Sequence, residues 1–83
     1  MPPEQALPDP RQAIGDRIRA LRIRAGLTQD EVVRRTGLDR RTVQRIERAE
    51  TDARLSWLLA VAHAIDVPLA ELVDVEAAGG GPG

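Results

Sequence analysis

The stretch from residue 28 to residue 48 reads TQDEVVRRTGLDRRTVQRIER and predicts two short amphipathic helices joined by a tight turn. Thr28, followed three residues later by Glu31, has the pattern of a capping box at the start of the first helix. Gly37 ends that helix, because glycine readily takes the left-handed backbone found there. Asp39 then caps a second helix that carries four arginines, namely Arg40, Arg41, Arg45 and Arg48.

Three further helices are predicted around this pair from apolar residues at helical spacing. The five helices are expected at about 12–25, 29–36, 40–48, 53–65 and in a short segment that starts at Val67 and Pro68. No segment alternates with a period of two, so the chain is predicted to be all-α. In the fourth helix, the residues expected to face inward are Leu55, Leu58, Leu59, Ala62 and Ile65.

Length and composition predict one small domain with a polar segment at each end. A chain of 83 residues holds one domain at most, which we expect to span residues 12–75. Residues 1–11 contain four prolines and are predicted to form a flexible arm, and the glycine-rich residues 76–83 a disordered tail. The sequence has no cysteine, no secretory signal and no apolar run of membrane-spanning length, so a soluble intracellular protein is expected.

The net charge of −1 hides a strong asymmetry along the chain. Residues 11–48 hold eleven arginines against five acidic residues, a balance of +6, whereas residues 49–83 hold one arginine against six acidic residues, a balance of −5. Residues 1–10 add −2. A basic half beside an acidic half favours one anion-binding face. All 12 basic residues are arginine, which indicates either bidentate recognition of planar acceptors or merely a codon bias.

Four short motifs carry a resemblance to a known family. They are LRIRAGLTQ at 21–29, TGL at 36–38, RIER at 45–48 and VPLAEL at 67–72. In this order and spacing they resemble the Cro/repressor-type helix-turn-helix family, also called XRE-like or lambda-repressor-like, over about residues 14–73. The resemblance implies a compact five-helix domain, usually dimeric, that binds operator DNA with its second and third helices.

In this arrangement the third helix would face base edges in the major groove. Arginine pairs bidentately with guanine and glutamine with adenine, so base contacts are expected from Arg40, Arg41, Gln44 and Arg45. The start of the second helix would abut a phosphate, since free N–H groups and the helix dipole favour an anion there. Phosphate contacts are expected from Thr28, Gln29, Thr42, Arg48 and Arg54. The alternative is that these arginines form a solvated helix face.

Arg22 and Glu47 occupy positions that often pair in the resembled family, between the first helix and the end of the third. A buried pair would lock the recognition helix in place. The alternative is two independent surface charges, which would contribute little stability.

The sequence departs from the family pattern in three places. Val33 replaces a small residue, usually Ala, where the second and third helices approach most closely. Ala49 replaces the usual Gly after the third helix, which makes a left-handed cap less favourable. The loop at 50–52 carries two acids where the family often has basic residues, and Arg54 is a candidate to compensate them.

Trp57, the only aromatic residue, belongs to a second apolar stripe on the fourth helix with Ala60, Val61 and Ala64. It is either a core residue or part of a subunit or partner contact, since tryptophan is enriched at interface hot spots. His63 has no second ligand nearby, and no catalytic constellation or nucleotide-binding glycine loop is visible. We therefore expect no enzyme activity, no metal and no cofactor.

The sequence thus predicts a DNA-binding transcription regulator, for instance a repressor, that acts as a homodimer in the cytoplasm of a bacterium or phage host, near the nucleoid. The dimer or partner contact is expected at Trp57, Leu69, Leu72, Val73 and Val75. Two alternatives stay open. The chain is either a protein-interaction module, such as the antitoxin of a toxin–antitoxin pair or a coactivator-like adaptor, or the DNA-binding module of a longer regulator.

Overall fold

The computed structural model describes residues 9–74, and within that range the backbone forms five α-helices and no strand. The helices are α1 (Pro10–Arg24), α2 (Gln29–Thr36), α3 (Arg40–Glu47), α4 (Leu55–Ile65) and α5 (Leu69–Val73). The predicted all-α class and the order of its helices are therefore confirmed.

The start of the first helix differs from the prediction because of a cap that the sequence analysis did not identify. The Asp9 side chain accepts a hydrogen bond from the Arg11 backbone N–H at 2.9 Å, and Pro10 occupies the first turn, where proline is tolerated. Two residues of the expected arm are therefore helical. Residues 1–8 of that arm and the residues from 75 onward lie outside the described range. At the fourth helix the extended backbone of Arg54 delays the start to Leu55.

The predicted caps around the turn at Gly37 are present. Thr28 Oγ1 accepts from the Glu31 N–H at 3.1 Å, and Glu31 Oε1 accepts from the Thr28 N–H at 3.0 Å, which completes the capping box. Asp39 Oδ1 accepts a hydrogen bond from the Thr42 N–H at 2.7 Å. The hydrogen bonds that Asp39 accepts from Thr42 lower the pKa of its carboxyl group. The stabilisation from this carboxylate is therefore present at neutral pH and is lost as the pH falls through the lowered pKa.

The core is built from residues of every helix. Its main cluster draws on α1, α3, α4 and α5, and Val32 adds a fully buried side chain from α2. Removing these apolar side chains from water is the main contribution to stability in a domain of this size. The cluster consists of Ile18, Leu21, Ile46, Leu58, Val61, Ala62, Ile65 and Leu72.

The inward face of α4 corrects the prediction. Leu55 and Leu59, which were expected to face inward, are 62% and 50% exposed, whereas Val61 and Ala64 of the second stripe are buried. The reason is that α4 is apolar nearly all the way round, so its own periodicity does not define a face. Packing against α1, α2 and α5 selects the buried side. Trp57 is half-buried against the core, as its core interpretation predicted.

Two arginines tie helices together through backbone carbonyl groups. Arg35 Nη1 donates to the carbonyl oxygen of Ala64, in the last turn of α4, at 3.0 Å. Arg17 Nε donates to the carbonyl oxygen of Glu71 in α5. Carbonyl groups near a helix end lack intrahelical partners, so basic side chains satisfy them well.

Ala49, which follows α3, has the left-handed backbone that the sequence analysis identified as unfavourable for alanine. Its φ is 59°, and one other non-glycine residue among those described, Asp66, also has a positive φ. An alanine Cβ crowds the following carbonyl group in this conformation, which costs roughly 1–2 kcal/mol relative to glycine. The exit from α3 therefore stores a small strain.

Ala49→Gly is expected to stabilise the domain by about 1 kcal/mol, because glycine relieves this strain although it adds freedom to the unfolded chain. The measurement is the free energy of unfolding in urea. The matched control is Ala20→Gly on the exposed side of α1, which should lose about 0.5–1 kcal/mol. An Ala49→Gly protein that loses stability as the control does would contradict this prediction.

Candidate nucleic-acid interface

The α3 helix separates its apolar residues from its cationic ones. Val43, Ile46 and Glu47 are buried and fix the inward side. The three arginines of α3 and Gln44 lie on the other side, where the arginines are exposed and Gln44 is half-buried, and the exposed Arg48 follows as the C-terminal cap. The structure therefore presents the predicted base-contacting residues, Arg40, Arg41, Gln44 and Arg45, together on one cationic helix face.

An ion pair holds the far end of this helix. Arg22 Nε donates to Glu47 Oε2 at 2.6 Å, and Arg22 Nη2 donates to Glu47 Oε1 at 3.1 Å, so the contact is bidentate. The side chains of Arg22 and Glu47 are 12% and 3% exposed, which excludes the alternative of independent surface charges. Arg22 Nη1 also donates to the Leu27 carbonyl oxygen at 2.9 Å, which ties the pair to the segment before α2.

Gln29, a predicted phosphate contact, joins the same network. Its Nε2 donates to Glu47 Oε1 at 3.3 Å, and the side chain is half-buried. An amide nitrogen has two N–H groups, so one can bond Glu47 while the other points elsewhere. Thr28, another predicted phosphate contact, has its hydroxyl engaged in the capping box.

Gly15 brings α1 directly against the end of α3, and the sequence analysis did not identify it. A Cβ at this position would lie 2.7 Å from the carbonyl oxygens of both Ile46 and Glu47. Only a residue without a side chain permits this approach. The available clue was a glycine in the interior of a helix, where it is otherwise unfavourable.

The loop that follows α3 has partners for some of its charges. Arg11 Nη1 lies 3.4 Å from Asp52 Oδ1, so one of the two acids of the loop is near a cation. The guanidinium group of Arg54 lies over the Trp57 ring, 5.5 Å from its centroid, in a cation–π geometry. Arg54, a predicted phosphate contact, is thus held by an aromatic ring in this structure.

At the other end of α3, Arg40 forms an ion pair that sequence reasoning missed. Arg40 Nη2 lies 2.6 Å from Asp30 Oδ1, and the two side chains are 60% and 56% exposed. The pair depends on the angle between α2 and α3, which residue spacing alone does not give.

The predicted dimer contact needs one correction. Leu72 is completely buried, so the prediction that it forms a subunit contact is wrong. It fills the core because α5 packs against both α1 and α4. Leu69 and Trp57 are half-buried against the core, Val73 is 38% exposed, and Val75 lies outside the described residues. Large apolar side chains with more exposure are found at Ile23, Leu55 and Leu59.

Other kinds of site find no support among the described residues. Residues 9–74 contain no group of acidic, histidine or cysteine side chains able to hold a metal ion. His63 is exposed on α4. None of the helices in the described range has the length and apolar character to cross a membrane.

Comparison with known proteins agrees with this geometry. The helix-turn-helix domain family matches residues 13–75, which include α2, α3 and the helices that hold them. The chain belongs to the helix-turn-helix domain family. The resemblance based on the four short motifs is thereby confirmed. None of the curated proteins matches the chain significantly.

Solved structures of other helix-turn-helix regulators share the fold. The restriction-modification controller protein C.AhdI from Aeromonas hydrophila is 35% identical with a TM-score of 0.73, and the match covers 75% of this chain and 94% of that one. A hypothetical transcription factor, NHTF, from Neisseria is 32% identical, with a TM-score of 0.73 and 82% of each chain covered. The clp gene regulator ClgR from Corynebacterium glutamicum is 28% identical, with a TM-score of 0.78, covering 87% of this chain and 76% of that one. All three carry regulatory names: a restriction-modification controller protein, a hypothetical transcription factor and a clp gene regulator.

Proposed function

We propose that this helix-turn-helix protein is a sequence-specific transcription regulator that binds operator DNA as a homodimer, with α3 in the major groove. The observation that carries the proposal is the exposed cationic face of α3, a helix whose opposite side packs against the rest of the domain. Three exposed arginines and Gln44 lie within the first six residues of an eight-residue helix. A helix of this width fits the major groove, where such side chains reach base edges.

The contacts that fix both ends of α3 favour sequence-specific recognition of bases over non-specific electrostatic binding. The ion pair of Arg22 with Glu47 and the close approach at Gly15 fix the end of α3, while Asp39 caps its start. Base discrimination needs side chains held within about half an ångström of the productive geometry, and rigid elements provide that better than loops. In this arrangement Thr28, Gln29, Thr42 and Arg48 contact phosphates and set the register. Arg54 does so only if its guanidinium group leaves the Trp57 ring.

A direct test of the function is selection of bound sequences from random duplex DNA, followed by a salt titration. We expect enrichment of a motif with two-fold symmetry and several guanines in each half. The affinity should fall with salt by a log–log slope of roughly 0.9 for each phosphate contacted. Recovery of no motif would contradict the proposal and favour the protein-interaction class, which includes antitoxins and adaptors.

Arg41 and Arg45 are expected to carry base readout. Replacing either by alanine should cost about 1–3 kcal/mol of binding free energy and relax the preference at one base position. The measurement is affinity for the selected operator and for its single-base variants. The control is Arg19→Ala on the exposed side of α1, which should leave the base preferences unchanged. Equal losses on operator and random DNA would make these arginines phosphate contacts instead.

The homodimer is proposed because one small module buries too little surface for tight specific binding. A two-fold dimer would place two α3 helices about 34–36 Å apart, one turn of DNA. The exposed apolar side chains of α4 and α5, Leu55, Leu59 and Val73, supply a contact surface in place of the buried Leu72.

Sedimentation of the protein with and without operator tests the homodimer. One chain per full operator at saturation would contradict it. Such a dimer would act in the bacterial cytoplasm, where its operator is.

A further inference from the structure

The ion pair between Asp30 and Arg40 distinguishes Arg40 from the other arginines that face outward on α3. Asp30 is the second residue of α2, and Arg40 is the first residue of α3, so the pair spans the turn. Its N–O distance is 2.6 Å. Arg41 and Arg45 form no ion pair with any other residue of the described range 9–74. Arg40 therefore meets DNA with a carboxylate already beside it.

A guanidinium group can bond a carboxylate and a base at once. It has five N–H donors in a planar fork, and recognition of guanine O6 and N7 uses two of them. The ion-pair contact of Nη2 with Asp30 leaves enough donors for guanine, and the attraction between the two charges restricts the rotation of a long side chain. The side chain is then ordered before binding, which lowers the entropy lost when it contacts the base.

The same carboxylate weakens attraction to DNA of any sequence. It partly neutralises Arg40, which would otherwise bind any phosphate as a free cation. It also repels a phosphate that approaches the pair. An acceptor with fixed bidentate geometry, such as a guanine edge, is less affected, because it gains directed hydrogen bonds as well as charge attraction.

We propose that Asp30 is a positioning residue that sets the specificity of Arg40: it orients the guanidinium group for guanine and lowers its affinity for random phosphate. This inference rests on the proposed function and adds a residue of α2 to the determinants of sequence preference. Asp30 would thus increase the preference for operator over random DNA, and its removal should make the protein bind DNA more tightly and less selectively.

The test compares Asp30→Asn with the parent protein on operator, on single-base operator variants and on random duplex DNA. For random DNA we expect affinity to rise about five- to tenfold at low salt, with a log–log salt slope steeper by roughly 0.9, the value for one added phosphate contact. The preference at a single base position should fall by about tenfold, within the range of one bidentate pair. Asp30→Glu keeps the carboxylate and should retain most of the preference.

A double-mutant cycle separates positioning from general repulsion. In an Arg40→Gln background, Asp30→Asn should no longer change any base preference, because the residue it positions is gone. Asp16→Asn, which removes an equal charge from the exposed side of α1, should leave base preferences as in the parent. Urea unfolding of each variant confirms that the proteins compared are folded.

The possible results separate the proposed role of Asp30 from the proposed DNA-binding function. If the parent selects a motif but Asp30→Asn binds all sequences more tightly by one common factor, in both backgrounds, Asp30 only repels DNA and the inference is wrong. If base preference is unchanged by Asp30→Asn, the inference is also wrong while the function stands. If the parent selects no motif at all, the proposed function itself fails.

Discussion

Glu47→Gln is expected to destabilise the domain by about 3–5 kcal/mol, because it leaves the Arg22 guanidinium group without its charged partner in a place shielded from water. Glutamine is nearly isosteric, so the loss reports the charge and not a cavity. The same change also weakens the acceptor for Gln29. The free energy of unfolding, from urea denaturation, measures the effect.

Glu50→Gln is the matched control for this loss, since it makes the same chemical change at an exposed position three residues later. It should stay within about 0.5 kcal/mol of the parent, as surface substitutions generally do. A Glu47→Gln protein that also stays within that range would show that burial of the pair contributes nothing to the fold.

Gly15→Ala should destabilise the domain by roughly 3 kcal/mol, the upper end of the usual range for overpacking. Alanine in a helix interior normally gains about 0.5–1 kcal/mol over glycine. Here the new methyl group would meet two backbone carbonyl oxygens at 2.7 Å, and backbone cannot rotate away as a side chain can. Either α1 or the end of α3 must move.

That movement would also reach the DNA-binding face, because the carbonyl groups belong to Ile46 and Glu47 of α3. We expect operator affinity to fall even at temperatures where Gly15→Ala is fully folded. Ala20→Gly on the exposed side of the same helix gives the propensity difference alone. A Gly15→Ala protein more stable than the parent would mean that the two helices do not approach this closely.

The helix-turn-helix was well predicted from local sequence, because the caps that begin its two helices are hydrogen bonds between residues close together in the chain. Thr28 with Glu31, and Asp39 with the Thr42 N–H, are bonds between residues three apart, so spacing alone reveals them. Ala49 was identified differently, because the resembled family usually has Gly at that position after α3, and the structure gives it a positive φ.

Features that depend on how helices cross were not predictable in the same way. In α4 an almost uniformly apolar sequence left the buried side undefined, so Leu55 and Leu59 were placed inside. Leu72 was assigned to a subunit contact because the packing of α5 against both α1 and α4 does not follow from its spacing. Asp30 and Arg40 meet only because of the angle between α2 and α3. The DNA contacts themselves stay predictions, since they involve a second molecule.

The bonds from Arg17 and Arg35 to backbone carbonyl groups change the meaning of the arginine-rich composition. These side chains join helices that lie far apart in the sequence, and they do so through the N–H donors of their guanidinium groups. A small domain thereby gains tertiary order from polar groups at its edge, where its core is too small to provide it. Some of the arginines that make this half of the chain basic therefore hold helices together and need not contact DNA. Lysine would replace them poorly, because it has a single ammonium group on a flexible stem.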